Sequence, residues 1–148
     1  MTASRRERVI LAVVALAKAA LPNAEVKRNQ PASARVQPGG HVDIGDGEQG
    51  EPEITLSPYR ETYAHVVPLT LTAPESISDD QRHGLLDLML IALQAAVEAD
   101  RSLGGLVEYL RLLPVETDDA ATADGGTFVG IAETAIEATY TVSGPLGA

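Results

Sequence analysis

The sequence has no cysteine and no tryptophan, one phenylalanine and two methionines among its 148 residues. Without cysteine there can be no disulfide and no thiolate metal site, which fits a protein made and assembled in a reducing cytoplasm. With one Phe and four Tyr, the core must be built from Leu, Val, Ile and Ala. No apolar run approaches the ~20 residues needed to cross a bilayer. The apolar segment Val9 to Leu21 carries Lys18 and lacks a cleavage-type end. It therefore reads as a helix face and not as a signal peptide.

Positive charge is also scarce. Eleven Lys/Arg stand against 21 Asp/Glu, a net charge of −10, which argues against direct binding of a phosphate backbone. The cations are gathered at one end. Residues 1–40 hold seven Lys/Arg and two Asp/Glu, a net of +5; the rest holds four and nineteen, a net of −15. A chain with one basic end and an acidic remainder can attract a copy of itself head to tail.

What is present is a clear succession of patterns. Ser4 and Glu7 have capping-box spacing, and Val9, Ile10, Val13, Val14, Ala17, Ala20 and Leu21 recur at threes and fours. This predicts a helix over residues 5–21, ended by Pro22 and Asn23. A short edge strand is expected at Ala24 to Arg28, a mobile Pro/Ser/Gly loop at 29–40, and a brief strand at His41 to Ile44. Thr62 to Thr72 alternates, with Tyr63, His65, Val67, Leu69 and Leu71 on one side, which predicts a half-buried strand. Pro68 lacks an N–H, so pairing should break there or the strand should lie at an edge. Ser78 and Gln81 open a second helix, about 79–100, with Leu85, Leu86, Met89, Leu93, Ala96 and Val97 as its buried stripe. Strands are expected at Glu108 to Leu113 and Thr127 to Val142, separated by an acidic mobile loop at 116–126. "SGPLGA" reads as a loose tail. The order α-β-β-β-α-β-β predicts one α+β domain over 1–148. Its mixed, mostly antiparallel sheet should have about five strands, with both helices on one face.

Little of this points to chemistry. The acidic, glycine-rich stretch "GDGEQGEPEITLSP" (45–58) and its surroundings supply Asp43, Asp46, Glu48, Glu51 and Glu53. These do not fit the calcium-loop spacing of an EF-hand. Asp46 with Glu48 would at most hold Mg²⁺ or Ca²⁺ weakly, and a solvated loop is the simpler reading. "GDG" lacks the third glycine and the following helix of a dinucleotide fingerprint, and no Gly-Lys-Ser/Thr phosphate loop exists. His41, His65 and His83 belong to no zinc-binding pattern, and no serine lies in a G-x-S-x-G elbow. His65, on the apolar side of a strand, reads as a packed or hydrogen-bonded residue. Glu133 and Glu137 lie on the polar face of the last strand, where a solvent-facing residue or a subunit contact is expected. No catalytic, cofactor or metal residue is assigned, and a non-enzymatic protein is expected.

Several segments together carry a resemblance. They are "LPNAEVKRNQP" after the first helix; "GDGEQGEPEITLSPYRETYAHVVPLTL"; "ALQAAVEADRSLGGLVEYL" at the end of the long helix; and "ATYTVSGPLG" at the chain's close. In this order they resemble the tail terminator (tail completion) proteins of tailed bacteriophages, the group that includes the lambda minor tail protein U. The resemblance runs from about Val9 to Gly147. It implies an α+β subunit of a homohexameric ring that caps the tail tube, ends its polymerisation and docks the head-completion or neck protein, with DNA passing through unbound. The implied location is the virion, at the head–tail junction, after assembly in the host cytoplasm. No cofactor is implied. Ring closure needs one patch to meet a different patch on the next subunit. The expected contributors are Arg5, Arg6, Arg8, Lys18, Lys27 and Arg28 on the basic side, and Asp43, Asp46, Glu48, Glu51 and Glu53 on the acidic side. Residues 45–58 are expected to form a turn and strand presented to a neighbour or to the tube. Two other readings stand beside this one: another head–tail connector or neck ring protein, and a small metal-dependent enzyme using the acidic loop.

Overall fold

Both capped helices form where the side-chain spacing demands. In the computed structural model, which describes residues 3–32, 35–74, 78–121 and 128–148, α1 spans Arg5–Ala20. The Ser4 hydroxyl accepts from the Glu7 N–H at 3.1 Å, satisfying one of the amides a helix start leaves without a partner. α1 buries Val9, Ile10, Val13 and Ala17. The second helix, α2, spans Asp79–Ala99. Its start is a reciprocal cap: the Ser78 hydroxyl takes the Gln81 N–H, and the Gln81 side chain takes the Ser78 N–H. α2 buries Leu86, Met89, Leu93 and Val97.

Seven strands make one sheet: β1 (Glu25–Arg28), β2 (His41–Ile44), β3 (Glu53–Leu56), β4 (Tyr59–Ala73), β5 (Tyr109–Leu112), β6 (Glu116–Ala121) and β7 (Phe128–Val142). Their order is β1-β2-β4-β7-β5, with β3 also on β4 and β6 also on β7. Among the described residues only β1 and β2 pair in parallel; the other pairings there are antiparallel. The protein is thus α+β, with two helices and a mixed, mostly antiparallel sheet. The spine is the pair β4 and β7, in register Tyr63↔Tyr140, Val67↔Ile136 and Leu71↔Ala132. One face of this spine is buried with Val42, Ile44 and Leu110 beneath the helices. Burying a Leu, Ile or Val there stabilises by about 1.5–3 kcal/mol each.

The sheet has seven strands where about five were expected, and the element order is α-β-β-β-β-α-β-β-β. One addition is β3. The other, β6, replaces the first part of the loop expected at 116–126; residues 122–127 lie outside the described residues. Asp, Glu and Ala, five of the six residues of β6, are depleted in strands, but strand preference yields to context. The first half of β7 has an edge that β5 does not reach, and β6 takes up its N–H and C=O groups from Glu116↔Glu133 to Ala121↔Phe128. The expected interruption at Pro68 is present. The β2 ladder ends at Ile44↔Leu69, Gly45 N–H donates to Pro68 O at 3.0 Å, and β4 then meets a single bridge, Glu48↔Val66.

Candidate functional site

The acidic, glycine-rich loop after β2 lies flat against β4. Gly47 makes this path possible. Its φ is +68°, and a Cβ there would stand 1.8 Å from the Val66 carbonyl oxygen, so only glycine fits without displacing the strand. The close approach lets Glu48 exchange backbone hydrogen bonds with Val66 at 3.3 and 3.0 Å.

Beneath the loop is a buried polar chain. His65 Nε2 lies 2.7 Å from the Asp46 carbonyl oxygen, and its Nδ1 lies 3.1 Å from the Tyr140 hydroxyl. A carbonyl can only accept, so Nε2 carries the proton and Nδ1 accepts from the phenol. The Gln49 amide donates to the Tyr140 oxygen at 3.0 Å and to the Pro145 carbonyl at 2.9 Å. His65 and Tyr140 are wholly buried. Burial holds the His65 pKa below its ordinary value and raises that of Tyr140. The chain joins the loop, the sheet spine and the C-terminal segment. That segment is also held by α1: Arg5 N–H donates to Gly147 O at 2.8 Å, and the Arg5 guanidinium donates to Leu106 O at 2.9 Å and Ala148 O at 3.3 Å.

A second cluster sits at the end of β1. Arg28 donates through both terminal nitrogens to the Glu7 carboxylate, at 2.7 and 2.9 Å, and through Nε to Asp46 at 2.8 Å. The Arg28 hydrogen bonds lower the pKa of Glu7 and of Asp46, and the two carboxylates raise that of Arg28. Asn29 adds a bond to Asp46 at 3.0 Å. Arg28 and Asp46, expected at a subunit contact, therefore meet each other within the subunit, together with Glu7, which the charge pattern did not single out.

The other residues expected at a contact are dispersed. Lys27 is exposed opposite Asp43 in the parallel β1/β2 register, and Asp43 accepts from the Gln30 N–H at 2.9 Å. Arg6 and Arg8 are partly buried on α1, and Lys18 is exposed near its end. Glu48, Glu51 and Glu53 face outward. Among the described residues, no three His, Cys, Asp or Glu side chains are grouped to hold a metal ion, and no helix is long and apolar enough to cross a membrane.

The strand expected within residues 45–58 is β3, and it is part of an arm. β3 and the start of β4 form a hairpin with every β3 residue exposed. Ile54 stands opposite Glu61 and Leu56 opposite Tyr59. By strand alternation these four lie on the face that continues through Tyr63 into the core. The helix layer does not extend over them: Ile54 and Tyr59 are about half exposed and Leu56 is 78% exposed. Glu61 accepts from Tyr59 at 2.6 Å and also from Tyr63. These bonds lower the Glu61 pKa, while burial and then Glu61 push that of Tyr63 up to about 12. The apolar alternation in "EITL" was visible in the sequence, and an outward strand at 45–58 was expected; its pairing with the start of β4 and the extent of its exposed face were not.

No protein-family model matches the chain, and no curated protein matches it.

Proposed function

We propose that the chain is a structural virion protein of a tailed phage: a tail terminator that forms a ring on the tail tube, ends tube polymerisation and presents the docking surface for the neck. The observation that carries this reading is the β3–β4 arm. A folded domain gains nothing from holding Ile54, Leu56 and Tyr59 in water on a paired hairpin; apolar surface of this kind suits a protein partner. The order of sequence segments supports the same reading, as does the contrast between the basic first 40 residues and the acidic remainder. The polar clusters at Arg28 and His65 serve the subunit's own loops, so the work falls to surfaces. The partners are further copies of the chain, the tube protein and a head-completion protein. DNA crosses the ring without being held, because attraction to phosphates needs cations.

Electron microscopy of growing tail tubes tests this. Protein that sits on tube ends and arrests their growth supports the terminator. Binding to portal or head-completion proteins alone would make it a connector instead, and association with neither would end the proposal.

A further inference from the structure

We infer that the β3–β4 arm of one copy docks, through Leu56, into the groove between α1 and α2 of the next copy. This rests on the reading of the chain as a ring subunit and names the contact that joins the subunits.

The groove is as incomplete as the arm. α1 and α2 pack together and leave a hollow of about 580 Å³ lined by Ala12, Leu16, Ala19, Ala96 and Leu103, with Asp100 at one end. Small side chains keep the helices' outer surface from closing over. The helices expose further apolar side chains: Leu11 on α1 is half exposed, and Leu88 and Ile91, farther along α2, are 66% and 56% exposed. In a sheet-and-helix domain a sheet face lacking helices and a helix face lacking a sheet are complementary defects. This chain carries one of each. Both are exposed in the same subunit, so the arm does not cover its own groove.

Charge along α1 favours the arm of a second copy as the occupant. Arg8, Leu11, Ala15 and Lys18, spaced by three, four and three residues, form one line along α1. Two cations therefore flank the apolar centre on the α1 side, while the α2 side carries the exposed acids Glu98 and Asp100. The arm brings Glu51, Glu53 and Glu61 around Ile54 and Leu56, with Arg60 as its one cation. The basic flank belongs to the +5 segment and the acidic arm to the −15 segment. Because the two patches differ, each copy offers a groove to one neighbour and an arm to the other, and repetition gives a ring when the rotation between copies closes.

The absence of cysteine makes the test direct. Leu56→Cys and Ala15→Cys chains are mixed, both in free solution and on capped tubes, and treated with a short bismaleimide. A cross-linked heterodimer is expected in the mixture, with neither variant linking to itself. The doubly substituted chain should give a ladder up to the size of the ring. Leu56→Asp should weaken association by about tenfold or more, as a leucine contact is lost, with an unchanged circular dichroism melt because Leu56 is exposed. If the protein forms rings or caps tubes but gives no heterodimer, and Leu56→Asp associates normally, this contact is wrong and the ring reading stands. If the unaltered chain neither self-associates nor caps tubes, both are wrong.

Discussion

The phenol of Tyr140 donates to Nδ1 of His65 across 3.1 Å in the sealed interior, fixing the imidazole as the neutral form with its proton on Nε2. A second proton on this ring would face a hydroxyl already accepting from Gln49. The folded state therefore resists protonation, and the lowered His65 pKa agrees. In the unfolded chain the ring titrates near its ordinary 6.5. The contribution to stability is complete above that value and is lost as pH falls through it toward the lower folded value. Its limiting slope is about 1.4 kcal/mol per pH unit. Urea midpoints across this window should decline in the unaltered protein, and more shallowly in His65→Gln. Equal slopes would remove His65 from the account. Glu7 and Asp46, both with lowered pKa values, add a further loss only at more acidic pH, below about 4.5.

Arg28 bridges α1 to the acidic loop through Glu7 and Asp46. The three groups are one-quarter to one-third exposed, so solvent screens them. Arg28→Ala should cost about 1–2 kcal/mol, reflecting a forked, charge-assisted contact and the two carboxylates left facing one another. Arg28→Lys should recover little, since an ammonium cannot reproduce the fork. The cost should shrink in about 1 M salt. Denaturant titration of the variants at low and high salt measures all three effects.

Gly47 and Gly50 share a left-handed backbone, with φ of +68° and +72°, but differ in surroundings. A Cβ at Gly47 meets Val66 O, whereas one at Gly50 meets nothing within 4 Å. Gly50→Ala should cost about 1 kcal/mol of backbone strain. Gly47→Ala should cost more than about 2 kcal/mol because the loop must also leave the strand. Comparable thermal shifts in the two variants would contradict the placement of the loop against β4.

Glu116 on β6 stands directly opposite Glu133 on β7, and both are exposed. Like charges in facing positions weaken a strand pair. Glu116→Lys should therefore stabilise the protein by about 0.5–1 kcal/mol. A neutral or negative effect in denaturant titration would argue against this register.

Self-association should depend on ionic strength, because the proposed contact sets Arg8 and Lys18 against Glu51, Glu53 and Glu61. Light scattering during size-exclusion chromatography, from roughly 0.05 to 1 M salt, should show the oligomer receding as the screening length falls from over 10 Å to about 3 Å. An oligomer indifferent to salt would leave only the apolar part of the contact.

Both helices, the two long strands and the buried sides of those strands were legible in the residues. Ser4 with Glu7 and Ser78 with Gln81 mark helix starts through local hydrogen bonds, and alternation in β4 needs only its own neighbours. β6 was not legible, because an acidic segment becomes a strand only when β7 offers it an edge. The same holds for the charged residues. Arg28 and Asp46 were identifiable as charges, but they are 18 residues apart, and only the parallel pairing of β1 with β2 brings them together. What the sequence by itself determined are features set within a few residues: helix spans, strand parity, the absence of thiol chemistry and the uneven charge. What only the tertiary structure decided is which surfaces are left uncovered, the arm at Leu56 and the groove between the helices. Exposure depends on where distant elements end relative to one another, and no local pattern encodes that.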